Sequence, residues 1–156
     1  MSRWVYVTGI VRADTFANTD AEAMFIGQTT IDHLPRICGS ERDANLHVHL
    51  EDGYNAWSTH DEFGQLSNLY TDRVHHGFES QPNILVTISG RLRDTTFDEA
   101  FRQTVATLCR MAKYIYVDEC VVMVQESYGK SSIITNKGRW MDSLYEGFWD
   151  DKDKTK

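Results

Sequence analysis

A chain of 156 residues, 41 % hydrophobic and 25 % charged, carries enough apolar surface for one ordinary core and too much for wholesale disorder. Its net charge of −7 excludes a general attraction to phosphate backbones, so no nucleic-acid partner is expected. No run approaches the ~18 apolar residues of a membrane span, and three widely spaced cysteines (Cys38, Cys109, Cys120) fit a reducing compartment, so the expected setting is cytoplasmic.

The elements follow in chain order. Residues 4–8 (WVYVT) alternate with period two and are rich in β-formers, which predicts a strand. Asn18, Thr19 and Asp20 are N-cap residues ahead of a helix in which Met24, Gly27, Ile31 and Leu34 recur at helical spacing, with Pro35 at its exit. Gly27 either weakens this helix or lets another element approach it. From Asn45 to Glu51 the alternation is nearly complete, with Leu46, Val48 and Leu50 on one face and His47, His49 and Glu51 on the other. Residues 52–82 show no sustained period and read as a long insertion between strands. A third strand begins at Asn83, with Ile84, Val86 and Ile88 opposite Leu85, Thr87, Ser89 and Arg91.

Thr95 or Thr96 can cap a second helix, with Asp98 and Glu99 well placed in its first turn. Its expected buried stripe is Phe97, Phe101, Thr104, Val105, Leu108 and Ala112, leaving Arg102, Gln103, Arg110 and Lys113 in solvent. Residues 119–126 make a fourth strand. Cys38-Gly39-Ser40 reads as the closing turn of the first helix. A short aromatic segment ends the fold: Trp140, Leu144 and Phe148 share a helical stripe beside Met141, Tyr145 and Trp149, which suits either burial or an interface between chains. The tail, residues 150–156, is expected to be disordered.

Strand–helix–strand–strand–helix–strand predicts one α+β domain over residues 1–149: a ferredoxin-like β-α-β-β-α-β sandwich with a long β2–β3 insertion. Its third strand should lie between the first and second. The face turned away from the helices would then gather Trp4, Tyr6, Thr8, His47, His49, Glu51, Thr87, Ser89 and Arg91.

Three chemistries compete for that face. His47, His49 and Glu51 point the same way and could offer a divalent metal two imidazoles and a carboxylate. Alternate strand residues stand roughly 7 Å apart, so a third ligand would have to come from elsewhere, such as His60, Asp61, His75 or His76. Without a metal these histidines form an ordinary polar strand face. Stacking of bases on Trp4 and Tyr6 is the second chemistry, but the third strand offers no ring for it and the net charge opposes it. The third is a small anionic ligand such as a nucleotide, for which Arg73, Arg91, Arg93 and the histidines supply donors. No nucleophile elbow, P-loop, dinucleotide fingerprint or two-histidine phosphoesterase motif occurs, and no cysteine has a local activating partner.

Ser58-x-His60-Asp61-Glu62-Phe63-Gly64, the Gly90-Arg-Leu-Arg-Asp-x-Thr-Phe-x-Glu99 block and the CRMAKYIYVDECVV run into the fourth strand make the chain resemble small bacteriophage and prophage proteins. The resemblance spans Trp4 to Val124 and implies a compact α/β fold in a bacterial host, acting by binding: blocking a host defence protein or sequestering its nucleotide signal. It supplies no catalytic residues. The leading expectation is therefore a non-enzymatic, cofactor-free binding protein that engages a host protein or a small anionic ligand and forms a homo-oligomer. Its site residues are Tyr6, Trp57, His60, Asp61, Phe63, Arg91 and Arg93. A metal-dependent hydrolase or phosphoesterase using His47 and His49 is the first alternative, and a virion component the second.

Overall fold

The computed structural model describes residues 3–51, 83–136 and 148–150, with Glu51 and the last three by backbone alone. Its elements are β1 (Trp4–Asp14), α1 (Asp20–Asp32), β2 (Asn45–Glu51), β3 (Asn83–Arg93), α2 (Phe97–Met111), β4 (Tyr116–Glu126), β5 (Ser131–Asn136) and β6 (Phe148–Asp150). Six strands form one sheet in the order β2-β3-β1-β4-β5-β6, and each neighbouring pair runs antiparallel. The architecture is α+β.

Alternation decides which face is core. Val5, Val7, Val11 and Ala13 of β1 are wholly buried, as are Ile84, Val86 and Leu92 of β3 and Val122 and Val124 of β4. Direct register partners share a face, and Val11 opposite Val86 and Val7 opposite Val124 put these side chains on one side of the sheet. β1 runs six residues beyond the predicted strand, to Asp14. Gly9 hides the continuation because it contributes no side chain to the pattern.

Thr19 caps α1, its hydroxyl accepting from Glu22 N at 3.1 Å. Ala23, Gly27 and Thr30 are buried, while the predicted Met24, Ile31 and Leu34 flank that line and are only partly covered. Gly27 allows close approach: a Cβ there would stand 2.8 Å from Val48 Cγ1 and 2.9 Å from Ile84 Cδ1, so α1 packs hard on β2 and β3. In α2 the buried line is Phe97, Ala100, Thr104, Thr107, Leu108 and Met111, with Phe101 and Val105 partly buried beside it. Gln103 departs from the solvent role expected of it. It is half-buried, and its Oε1 accepts from Cys38 N at 2.8 Å, tying α2 to the chain leaving α1.

Thr96 caps α2 by accepting from Glu99 N at 3.1 Å. Thr96→Ala is expected to lower stability by about 1 kcal/mol, or roughly 2–4 °C in Tm, read from thermal melts of the two proteins.

Three further expectations are corrected. Cys38-Gly39-Ser40 is not the closing turn of α1, which ends at Asp32 with His33 as its C-cap. Cys38 instead forms an isolated antiparallel bridge with Asp43. β4 starts at Tyr116, earlier than predicted, because the bulge between its pairs with Arg12 and Ala13 breaks the alternation. A fifth strand went unanticipated: β4 turns through Tyr128 (φ 60°) and Gly129, and β5 returns beside it with Ser132 and Ile134 buried. β6, inside the aromatic C-terminal segment, extends the sheet once more, and Trp140, Met141, Leu144 and Tyr145 lie outside the described residues.

Cys120 is part of the core, and burial pushes its thiol up to about 12. Cys109 is also raised by burial, so both stay protonated at neutral pH. Among the described residues no helix is long and apolar enough to cross a membrane.

Candidate functional site

Register lays out the helix-free face row by row. Trp4 lies opposite Arg93, Tyr6 opposite Arg91, Thr8 opposite Ser89 and Ile10 opposite Thr87. On the far side of β3, His47 is opposite Thr87 and Asn45 opposite Ser89. The expected gathering of Trp4, Tyr6, Thr8, His47, His49, Thr87, Ser89 and Arg91 on one face therefore holds in the structure.

At the Trp4 end of this face lies a cleft of about 160 Å³, lined by Trp4, Glu41, Arg42, Arg91 and Arg93. The loop from Cys38 to Asp43 builds its outer wall. Gly39 N donates to Arg42 O at 3.0 Å, and Ser40 N donates to Arg93 O at 2.9 Å. Gly39 has to be glycine for this contact, since a Cβ would stand 2.5 Å from Arg93 O and 2.6 Å from Arg93 N. A backbone laid directly on the end of β3 places Glu41 and Arg42 beside the two β3 arginines.

The arginines are held differently. Arg93 pairs with Glu41 at 2.6 Å and with Asp94 at 3.6 Å, and lies 5.9 Å from the Trp4 ring centre. Arg91 lies over the indole at 4.6 Å. Among the described residues neither Arg91 nor Arg42 has a carboxylate partner. A guanidinium resting on an aromatic face keeps the donors at its edge and loses little freedom on pairing, so the Arg91 donors are left at the ring's edge for a hydrogen-bond acceptor.

The opposite end of the face is acidic. Arg12 pairs with Glu119 at 2.8 Å, and Asp14 Oδ1 accepts from Phe16 N at 2.7 Å. Burial raises the Asp14 carboxyl above its ordinary value, against the lowering effect of the Phe16 bond. Asp118, the extra residue at the bulge, is raised first by burial and then by the charges of Asp14 and Glu119.

A carboxyl raised on folding holds its proton more tightly in the folded state. Stability gains as pH falls through the folded value and is reduced above it. Asp14→Asn removes the charge and keeps an acceptor for Phe16 N. It is expected to raise Tm at pH 7 and to leave it unchanged at about pH 2, below both pKa values, in melts of the two proteins at each pH.

His47 and His49 share the face with both ends, and both are exposed. His49 Nε2 sits 3.2 Å from Thr87 Oγ1, a neighbour on β3. Among the described residues no group of three or more His, Cys, Asp or Glu side chains comes together in a way that could hold a metal. Trp57, His60, Asp61, Phe63, His75, His76 and Arg73 lie outside the described residues. Of the expected binding residues, the structure thus brings together Tyr6, Arg91 and Arg93.

Sequence reading did not place Glu41 and Arg42 in the site, and their signal is faint. Gly39-Ser40 marks a turn and Glu41-Arg42-Asp43 a short run of alternating charge, but only the bond from Ser40 N to Arg93 O shows what the turn docks against. A second cavity, of about 260 Å³, is lined by Thr29, Thr30, His33 and Tyr114, and among the described residues no arginine, lysine or carboxylate is in its wall. No family model matches the chain, and neither a curated protein nor a solved structure does.

Proposed function

We propose that this protein binds a small anionic ligand of the nucleotide class, without transforming it, in the cleft of Trp4, Arg42, Arg91 and Arg93. One observation carries the reading: on a chain of net charge −7, two arginines without carboxylate partners among the described residues line one cleft, one of them over a half-buried tryptophan. An acidic protein that concentrates cations at one point creates a local field there and nowhere general, which selects compact anions over polyanionic strands. Planar guanidinium forks match phosphate oxygens in pairs, and the Trp4 and Tyr6 rings offer apolar area to a base.

The same proposal names the architecture more finely. The run β2-β3-β1-β4, with all neighbours antiparallel and α1 and α2 as its crossovers, supports a ferredoxin-like unit to which β5 and β6 are added beside β4. A bacteriophage origin, and a host nucleotide signal in a bacterial cytoplasm as the ligand, extend the reading on the strength of the Gly90–Glu99 resemblance. Calorimetric titration with mono- and dinucleotides, cyclic dinucleotides and pyrophosphate tests it. Saturable binding of a phosphorylated compound at micromolar concentration, with the compound recovered unchanged, is the expected result. Silence across the panel at millimolar concentration, or turnover of the compound, overturns it.

A further inference from the structure

One register row leads out of the cleft and across the sheet. Arg91 of β3 lies opposite Tyr6 of β1, Tyr6 opposite Gln125 of β4, and Gln125 opposite Ser131 of β5. Val122 and Val124 are core, so Gln125 faces the helix-free side together with Tyr6 and Arg91. A cation, an aromatic ring, an amide and a hydroxyl thus stand side by side, in that order. Charge is confined to the first of them.

The ring and the amide are both unengaged among the described residues. Arg91 and Arg93 lie 4.6 Å and 5.9 Å from the Trp4 ring centre, whereas no cation or second ring rests on Tyr6. Gln125 is exposed, and its amide has no hydrogen-bond partner in the described chain. The other described glutamines are committed: Gln28 donates to Asp32, and Gln103 accepts from Cys38 N and donates to Glu99.

We propose that the nucleotide bound by this protein carries adenine, stacked on Tyr6 with its edge at the Gln125 amide. The inference rests on the reading above, in which the ligand's phosphate lies at Arg91. The row's polarity sets the orientation: phosphate takes the one cation, and the uncharged base falls on the neutral side chains beyond it. From Arg91 to Gln125 is two strand spacings, or ~10 Å, a span that a nucleotide covers from its phosphate to the far edge of its base. Stacking on Tyr6 accepts any base, because every base has a π-face. The amide is what chooses. It presents one donor and one acceptor side by side, and adenine matches that pair through N6 with N7 or through N6 with N1. Adenine therefore pairs whichever way it lies on the ring. Guanine shows two acceptors on its N7/O6 edge, and the pyrimidines have a smaller ring to stack.

Calorimetric titration of the full chain with ADP, GDP, CDP, UDP and inorganic pyrophosphate tests the base site. ADP should bind about 10-fold more tightly than pyrophosphate, the gain from stacking, and about 5-fold more tightly than the other nucleotides. Gln125→Leu, at an exposed position, should erase the preference among bases and leave pyrophosphate binding unchanged. Tyr6→Leu should bring ADP down towards pyrophosphate, with circular dichroism confirming that both variants fold. Pyrophosphate bound as tightly as every nucleotide overturns the base site and leaves the anion cleft standing. A preference for another base, or an ADP preference that survives Gln125→Leu, overturns the reading of adenine by this amide. If neither pyrophosphate nor any of the nucleotides binds at millimolar concentration, the cleft falls and the base site with it.

Discussion

Gly9→Ala is expected to destabilise the protein by roughly 3 kcal/mol or more, although it adds a single methyl group. Gly9 lies in β1, between Ile88 of β3 and Val122 of β4. A Cβ there would overlap Val121 O and stand 2.5 Å from Val122 Cα. Both are backbone atoms of a paired strand, and they can retreat only if the β1–β4 ladder opens. Gly27→Ala makes a useful comparison, because its obstacles are the tips of Val48 and Ile84, which can turn aside. The cost there should be nearer 1 kcal/mol. Urea unfolding of both variants checks the difference, and a Gly9→Ala loss below that of Gly27→Ala would mean that β4 yields more readily than its pairing suggests.

Arg91→Ala should weaken binding of the phosphorylated ligand about 10- to 100-fold, the range set by one charge-assisted, bidentate contact. Trp4→Ala should cost less, about 5- to 10-fold, because it frees Arg91 from its platform but leaves the charge in place. Arg91→Lys distinguishes a general field from a shaped contact. It keeps the charge and loses the planar fork, so it should recover only part of the affinity. Arg12→Ala is the control: Arg12 pairs with Glu119 near the other end of the same sheet face and should leave binding unchanged. Calorimetric titration of the four variants supplies the comparison. Equal losses at Arg12 and Arg91 would point to net charge alone and refute a defined cleft.

The parts of the fold that could be read in advance are those where side-chain period and backbone state agree. Leu46, Val48 and Leu50 against His47 and His49 announce β2 with no help from the rest of the chain, and the Thr96 cap with Asp98 and Glu99 announces α2. Reading failed where one residue broke the period. Gly9 cut β1 short, and the bulge opposite Arg12 and Ala13 hid the start of β4. β5 was missed for another reason. Ser131-Ser-Ile-Ile-Thr-Asn136 is short, and only its place beside β4 makes it a strand. The site was half legible on the same grounds. Trp4, Tyr6, Arg91 and Arg93 follow from strand period, which fixes a face. Glu41 and Arg42 arrive through backbone bonds to Arg93 and Arg42, made by a loop whose docking no local pattern records.

If the cleft takes the proposed anion, Glu41 is its resident competitor. Its carboxylate already holds Arg93 at 2.6 Å, so an incoming anion has to better a group tethered in place. A tethered group acts as though present at millimolar concentration or above, which is comparable to the free chloride and organic acids of a cell. Singly charged anions gain little by replacing it. A ligand with two or more adjacent negative charges can engage Arg91 and Arg42 while Glu41 stays on Arg93, or displace it and gain a third contact. On the proposed function the ion pair would work as a valency filter. It would set a floor under the charge a ligand must carry and keep the abundant small anions out of a site that would otherwise suit them.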